Sequence, residues 1–173
     1  MQQYSLFLDS YNAGALLVRE ADGAVRPAHR KEILAVAREL IDADDLRCQD
    51  LSNPGLVRGF LRLRFNAALE HEVFGLILLD SQNHLIAYLE PFRGTIDQAS
   101  VYPREVVKLA LQHNAKSVML VHNHPSGNAE ASKADVALTK HLQQALGLID
   151  VRVLDHFIVA GKAVVSMAEK GLI

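Results

Sequence analysis

The chain has 173 residues, half of them apolar and 22% charged, with a formal net charge of −2. This ordinary globular composition supplies enough apolar side chains for a sizeable core, and it excludes a strong overall field that would draw the chain onto nucleic acid or an anionic membrane. The single cysteine, Cys48, excludes an internal disulfide and a thiolate-built metal site. The opening residues lack the basic segment and long apolar run of a signal peptide, and no apolar stretch reaches bilayer length; the expectation is a soluble, cytoplasmic protein with no membrane partner.

Residues 1–27 are mixed, broken by Gly14, Asp22-Gly23 and Pro27, with Leu16-Leu17-Val18 as a short strand. Ile33, Leu34, Ala37, Leu40 and Ile41 recur at helical spacing and predict an amphipathic helix from His29 to about Asp42, ended by a polar loop at Asp42, Asp44 and Asp45. Asn53-Pro54 is a helix start, with a capping side chain followed by Pro at the first helical position. The helix runs to about Leu69, with Arg58, Arg62 and Arg64 on its solvated side; a basic nucleic-acid contact is the sharper alternative for those arginines.

The pattern changes near Glu70. Val73–Leu79 is a short, nearly continuous apolar run, as in a buried strand. A turn at Asp80-Ser81-Gln82-Asn83 leads to a second strand, Leu85–Leu89, completing a hairpin. Tyr102-Pro103 opens a helix to about Asn114, and Val118–Val121 is another buried strand. A polar loop at 122–131 precedes a helix from Ser132 to about Leu146, with Gly147 as its stop. Val151, Val153, Asp155, Phe157 and Val159 alternate as a strand, and Gly161-Lys162 turns into a last strand at Ala163–Val165. The expected fold is α/β, a mixed sheet flanked by helices, at residues 70–173, preceded by a mostly helical extension at 1–69.

The chemistry concentrates at His122-Asn-His124-Pro-Ser-Gly127 and at Ser132-Lys-Ala-Asp135. His122 and His124, two apart at the end of a strand, lie on one side of it, and a loop leads to a helix whose first turn holds Asp135. Two nitrogens and a carboxylate can converge there, and three protein ligands with a fourth position open is the catalytic zinc pattern. Two plainer readings stand beside it: the histidines can simply bond the loop, and Ser132-x-x-Asp135 matches a helix capping box.

The spacing His-x-His, seven residues, Ser-x-x-Asp resembles the JAMM (MPN+) metalloprotease motif, and the surrounding wording resembles the RadC-like branch. Its features here are Glu72-x-Phe74, Phe92-Arg-Gly-Thr95, Pro103-Arg-Glu-Val-Val107, His122-Asn-His-Pro-Ser-Gly127 and Leu154-Asp-His156, over about residues 68–166. The resemblance implies a JAMM-type three-layer fold with Zn2+ held by His122, His124 and Asp135. It also implies a glutamate general base, best matched by Glu72 with Glu70 as runner-up, and a Ser132 hydroxyl that stabilises an oxyanion. Two departures stand out. Ala131 replaces the usual proline before the motif serine, and residues 1–69 show no glycine-bearing helix-hairpin-helix, so DNA binding is not carried over. Asn123 is read as fixing the loop. His156 is left outside the site, as a partner behind a ligand or a core histidine.

Three functions follow as expectations. The first is a zinc-dependent hydrolase of an amide, peptide or isopeptide bond, with a protein or peptide substrate. The second is a metal-dependent DNA-processing or repair-associated protein, which the charge does not support. The third is a non-catalytic MPN-type interaction module. A second copy of the chain is a further expected partner. A zinc nucleobase deaminase is excluded, since it needs a Pro-Cys-x-x-Cys pair and one cysteine is present.

Overall fold

The computed structural model describes residues 6–8, 16–42, 50–65, 70–94 and 101–173. Gly14, Asp44, Asp45, Cys48, the 66–69 tail of the second expected helix and Thr95 lie outside the described residues. No helix among the described residues is long and apolar enough to cross a membrane.

The chain divides into compact units at Met1–Leu46 and Arg47–Ile173. The division expected from the sequence lay at 69/70. The difference is the second helix, whose apolar face belongs to the larger unit. The first unit holds β1 (Leu6–Leu8), β2 (Leu16–Arg19), β3 (Val25–Pro27) and α1 (Arg30–Asp42). The short strand at Leu16 was expected; its two antiparallel neighbours, β1 and β3, were not. Three- and four-residue strands carry too little periodicity to announce themselves. Arg26 ties the small sheet to α1. Its guanidinium donates to Glu20 at 2.6 Å and to both carboxylate oxygens of Glu32 at 2.6 and 2.8 Å. That bonding draws the Glu32 carboxyl down to about 2, with the His29 amide adding to it.

The larger unit is a five-stranded sheet flanked by helices. Its strands are β4 (Val73–Leu79), β5 (Leu85–Arg93), β6 (Ser117–Asn123), β7 (Arg152–Ala160) and β8 (Ala163–Ser166), in the order β5-β4-β6-β7-β8. Its helices are α2 (Pro54–Arg64), α3 (Pro103–Gln112) and α4 (Lys133–Gly147). The sheet is mixed: β6 and β7 are parallel and joined through α4, and the other neighbours are antiparallel. The central strands β4 and β6 are buried at every residue, which is why both read as apolar runs rather than alternations. β5 continues four residues past its expected end, through Pro91 to Arg93. An edge strand tolerates a proline because no ladder bond is lost on its open side.

One face of the sheet offers Phe74, Leu76, Leu78, Val118 and Leu120, which pack with Val106 and Ala110 of α3 and Leu142 and Leu146 of α4. On α2, Val57, Phe60 and Leu61 are buried, and Phe60 meets the Tyr88 ring edge-on with centroids 5.3 Å apart. The arginines of this helix are not simply its solvated side. Arg58 donates to the Val164 carbonyl at 3.2 Å and pairs with Glu169, and the Arg64 guanidinium lies 4.6 Å over Tyr88. Arg62 alone of the three is exposed as expected. The long stems and flat cations of arginine pack where the sequence pattern shows only charge.

Gly75 makes room for Tyr88. A Cβ there would stand 2.9 Å from the Tyr88 hydroxyl oxygen and 2.9 Å from Val121 Cγ1. Overpacking of this kind costs about 1–3 kcal/mol. Gly75→Ala is therefore expected to lower the thermal midpoint by several degrees, measured by calorimetry. An unchanged midpoint would show that Tyr88 moves aside without loss.

Candidate metal centre

The site forms where β6 ends and α4 begins. Period-two geometry carries Val118, Leu120 and His122 along one face, so His122 is the last member of the row that packs against α3 and α4. On α4, Asp135, Thr139, Leu142 and Leu146 fall at helical spacing, and the last three are buried. The apolar stripe that docks the helix thus runs directly into the site. The strand extends through Asn123, two residues beyond its expected end, so His122 and Asn123 are strand residues held by ladder bonds rather than loop residues.

Three of the expected residues come together. His122 Nε2 approaches His124 Nε2 to 2.8 Å and Asp135 Oδ1 to 3.2 Å, and His124 Nε2 lies 3.7 Å from Asp135 Oδ2. Donor atoms about 2.0–2.2 Å from a tetrahedral zinc ion stand about 3.3–3.5 Å apart, so the three spacings bracket the edge of such a polyhedron. The chemistry of the set fits as well. His124 Nδ1 lies 2.6 Å from the Asn128 carbonyl, which can only accept, so its hydrogen is on Nδ1 and a neutral ring turns the Nε2 lone pair inward. Two imidazole nitrogens and a carboxylate on one point are a donor set for a divalent metal ion.

The capping box and the convergence of His122, His124 and Asp135 are one arrangement. Asp135 Oδ2 accepts the Ser132 amide at 2.7 Å, and Ser132 Oγ accepts the Asp135 amide at 3.1 Å. That leaves Oδ1 to face His122. Burial alone would raise the Asp135 carboxyl, but the His122 hydrogen bond and charge and the two Ser132 bonds outweigh it. They hold Asp135 well below the usual carboxylate range, as an anion.

Glu72 is half-buried just ahead of β4, whereas Glu70 is exposed. Burial pushes Glu72 above its ordinary value and Asp135 adds to the rise, while His122 and His124 pull it down; Glu72 therefore lies within the field of all three converging residues. Its backbone is pinned from three sides. Asn123 Oδ1 accepts the Val73 amide at 2.7 Å, Asn123 Nδ2 donates to the His71 carbonyl at 3.0 Å, and the Gly94 amide donates to the Glu72 carbonyl at 2.8 Å. Asn123 thus grips the chain on both sides of Glu72. The expectation that it fixes the His122–Gly127 loop is corrected to this extent: its bonds go across the sheet, because β6 lies beside β4 there.

Two groups were not placed in the site from sequence. His156 is fully buried, 2.8 Å from His122 Nδ1 through its Nε2, and its Nδ1 is 2.6 Å from the Thr139 hydroxyl. Burial, then the charge of His122, pushes His156 far below the usual histidine value, so its ring is neutral. The alternation of β7 sets Asp155 and His156 on opposite faces without saying which faces inward. A bulge opposite Val118-Met119 shifts the β6–β7 register by one residue, and this pairs Leu120 with His156 rather than with Asp155. Asp155 turns to the other side, where it accepts from Ser166 Oγ at 2.5 Å and from the Ala168 amide at 3.0 Å.

Comparison with known proteins fits this geometry. The family model for the RadC-like JAB domain matches residues 51–172. A UPF0758 protein of Cellvibrio japonicus (strain Ueda107) is 53% identical over 152 residues, covering 86% of this chain and 66% of the relative. A UPF0758 protein of Paracidovorax citrulli (strain AAC00-1) is 52% identical over 169 residues, covering 92% of this chain and 70% of the relative. The chain therefore spans about two thirds of the length of these relatives. The matched stretch takes in α2, the whole five-stranded sheet and every residue of the site just described, and on that ground the chain belongs to the RadC-like JAB domain family.

Proposed function

We propose that the chain is a zinc-dependent hydrolase of an amide, peptide or isopeptide bond. The observation that carries the reading is the convergence of His122 Nε2, His124 Nε2 and the Asp135 carboxylate at zinc-ligand spacing, with the half-buried Glu72 carboxylate in their field. Zinc held by these three residues would supply a Lewis acid that polarises a substrate carbonyl and acidifies water. The protein's own groups have distinct tasks. Glu72 is a carboxylate with no place in the ligand set and its backbone pinned, as a proton acceptor and later donor to the leaving amine requires. Ser132 Oγ spends a lone pair on the Asp135 amide and keeps its O–H for an oxyanion that develops on the substrate. The substrate expected is a protein or peptide. Arg58 and Arg64 are engaged by Val164, Glu169 and Tyr88, which leaves Arg62 as the one exposed arginine of the three on α2 and weakens the case for a nucleic-acid surface there.

Purified chain is expected to hold about one zinc per chain by elemental analysis, and to lose it on His122→Ala, His124→Ala or Asp135→Ala. Stoichiometric zinc in the His122→Ala/His124→Ala double variant would sink the ligand assignment. In a screen of isopeptide-linked and DNA substrates, cleavage confined to DNA would overturn the bond class.

Glu72→Gln keeps size and removes the proton acceptor. Zinc should stay bound while turnover falls about 10²- to 10⁴-fold. A fully active Glu72→Gln with Glu70→Gln inactive would move the base to Glu70.

Asn123→Ala removes both bonds that flank Glu72 and leaves the buried Val73 amide unpaired, a loss of about 1–3 kcal/mol. Its zinc content should match that of the unaltered chain while stability and turnover both fall. Unaltered turnover would show that Glu72 does not depend on that grip.

A further inference from the structure

The row of paired side chains that begins at His122 continues away from the converging atoms. Phe74 is the register partner of His122 on one side and of Phe92 on the other, so the three stand in line on one face across β6, β4 and β5. Ring centroids are 6.4 Å apart for His122 and Phe74 and 6.2 Å apart for Phe74 and Phe92, and the Tyr102 ring follows 6.2 Å from Phe92. We infer that Tyr102 is a specificity-determining residue: its ring is a shelf for an apolar side chain of an extended peptide substrate, about three to five residues from the bond that is cut. The inference rests on reading the site as a hydrolase of peptide or isopeptide bonds.

Tyr102 is the N-cap of α3, a position where Ser, Thr, Asp or Asn usually accepts a free amide of the helix start. The tyrosine side chain makes no capping bond. Its ring is 58% exposed, whereas Phe92, which supports it, is 9% exposed. The residue therefore does not serve the helix start, and it leaves much of an aromatic face in water. A single exposed apolar side chain is ordinary by itself. What distinguishes this one is its place.

β4 lies between β6 and β5, so Glu72, just ahead of β4, stands between the converging atoms and the Phe92–Tyr102 pair. The Gly94 amide, two residues past Phe92, donates to the Glu72 carbonyl at 2.8 Å and ties the end of β5 to the same point. Across β4, β6 and β5 lie about 10 Å apart, and the ring contact at Phe92 then sets Tyr102 about 10–16 Å from His122. An extended chain advances about 3.3 Å per residue, which gives the count of about three to five residues. A chain that crosses Glu72 with its scissile carbonyl at His122, His124 and Asp135 thus lays one side chain on the Tyr102 ring. An aliphatic or aromatic side chain gains there by burying apolar surface against the open face. A cation would stack on tyrosine too, but Arg104, in the same turn of α3 and 88% exposed, disfavours one.

The test uses the full zinc-loaded chain and a pool of random linear and lysine-branched peptides, with the cut positions read by mass spectrometry. The unaltered chain should enrich Leu, Ile, Met or Phe at one position about three to five residues from the cut. Tyr102→Phe keeps the ring and should give the same profile. Tyr102→Ser should lose the enrichment and raise KM for the peptide cut best about 10-fold, with kcat and zinc content little changed, because the contact is remote from the reacting atoms. Serine also supplies the capping oxygen that Tyr102 lacks, so the start of α3 is not weakened, and calorimetry checks this. Tyr102→Asn, a second capping residue, takes its place should Tyr102→Ser fail to fold. A flat profile at those positions, a basic residue enriched there, or an enrichment that survives the loss of the ring would overturn the role of Tyr102 and leave the hydrolase reading standing. A pool left uncut by the zinc-loaded chain would instead overturn the hydrolase reading, and the role given to Tyr102 with it.

Discussion

β6 is buried along its whole length and ends in two polar side chains, His122 and Asn123. Burying a polar atom without a partner costs about 1–3 kcal/mol in proteins, so each ring nitrogen and amide atom there must be matched. The matches build the site. Asn123 is satisfied by the backbone on either side of Glu72, and His122 by His156 behind and by His124 and Asp135 in front. Among the described residues, no buried side-chain nitrogen or oxygen lacks a partner.

The same requirement explains where the site lies. β6 and β7 run parallel and are joined through α4, so the carboxyl end of β6 delivers the chain to the amino end of that helix. A helix start has free amides that call for an acceptor, and Asp135 and Ser132 answer them reciprocally. The capping bond holds the Asp135 carboxylate in one orientation, with one oxygen on the Ser132 amide and the other turned to His122. An aspartate that serves the helix is thereby also aimed at the histidines, so stability of the helix start and geometry of the candidate metal centre are coupled. The same helix carries Thr139 one turn further on, within reach of His156.

The two sides of the sheet divide the labour. α3 and α4 cover the face that leads into the site, and their apolar contacts with β4 and β6 set the depth at which His122 sits. Phe74 and His122 are register partners on β4 and β6, their rings stacked with centroids 6.4 Å apart. α2 is anchored by Phe60 against Tyr88 on β5 and by Arg58 at Val164 in β8 and Glu169 just past it. The RadC-like family match begins at residue 51, just ahead of this helix, in keeping with its place in the larger unit.

Much of this was legible from the residues alone, where local chemistry decides. Apolar runs at Val73–Leu79 and Val118–Val121 marked the two central strands because strands covered on both faces have no polar side to show. Asn53-Pro54 and Ser132-x-x-Asp135 marked helix starts because capping is a local bond. The His-x-His pair and Asp135 could be grouped because a strand end and the next helix start are neighbours along the chain. What needed the tertiary structure were features set by register and by partners far away in sequence. The assignment of α2 to the larger unit depends on Tyr88, Val164 and Glu169. The grip of Asn123 on Glu72 depends on β6 lying beside β4. The inward turn of His156 depends on a one-residue bulge between β6 and β7, which reverses the facing of every residue beyond it. Periodicity says that two neighbouring residues face opposite ways, but only the pairing of whole strands says which of them faces the site.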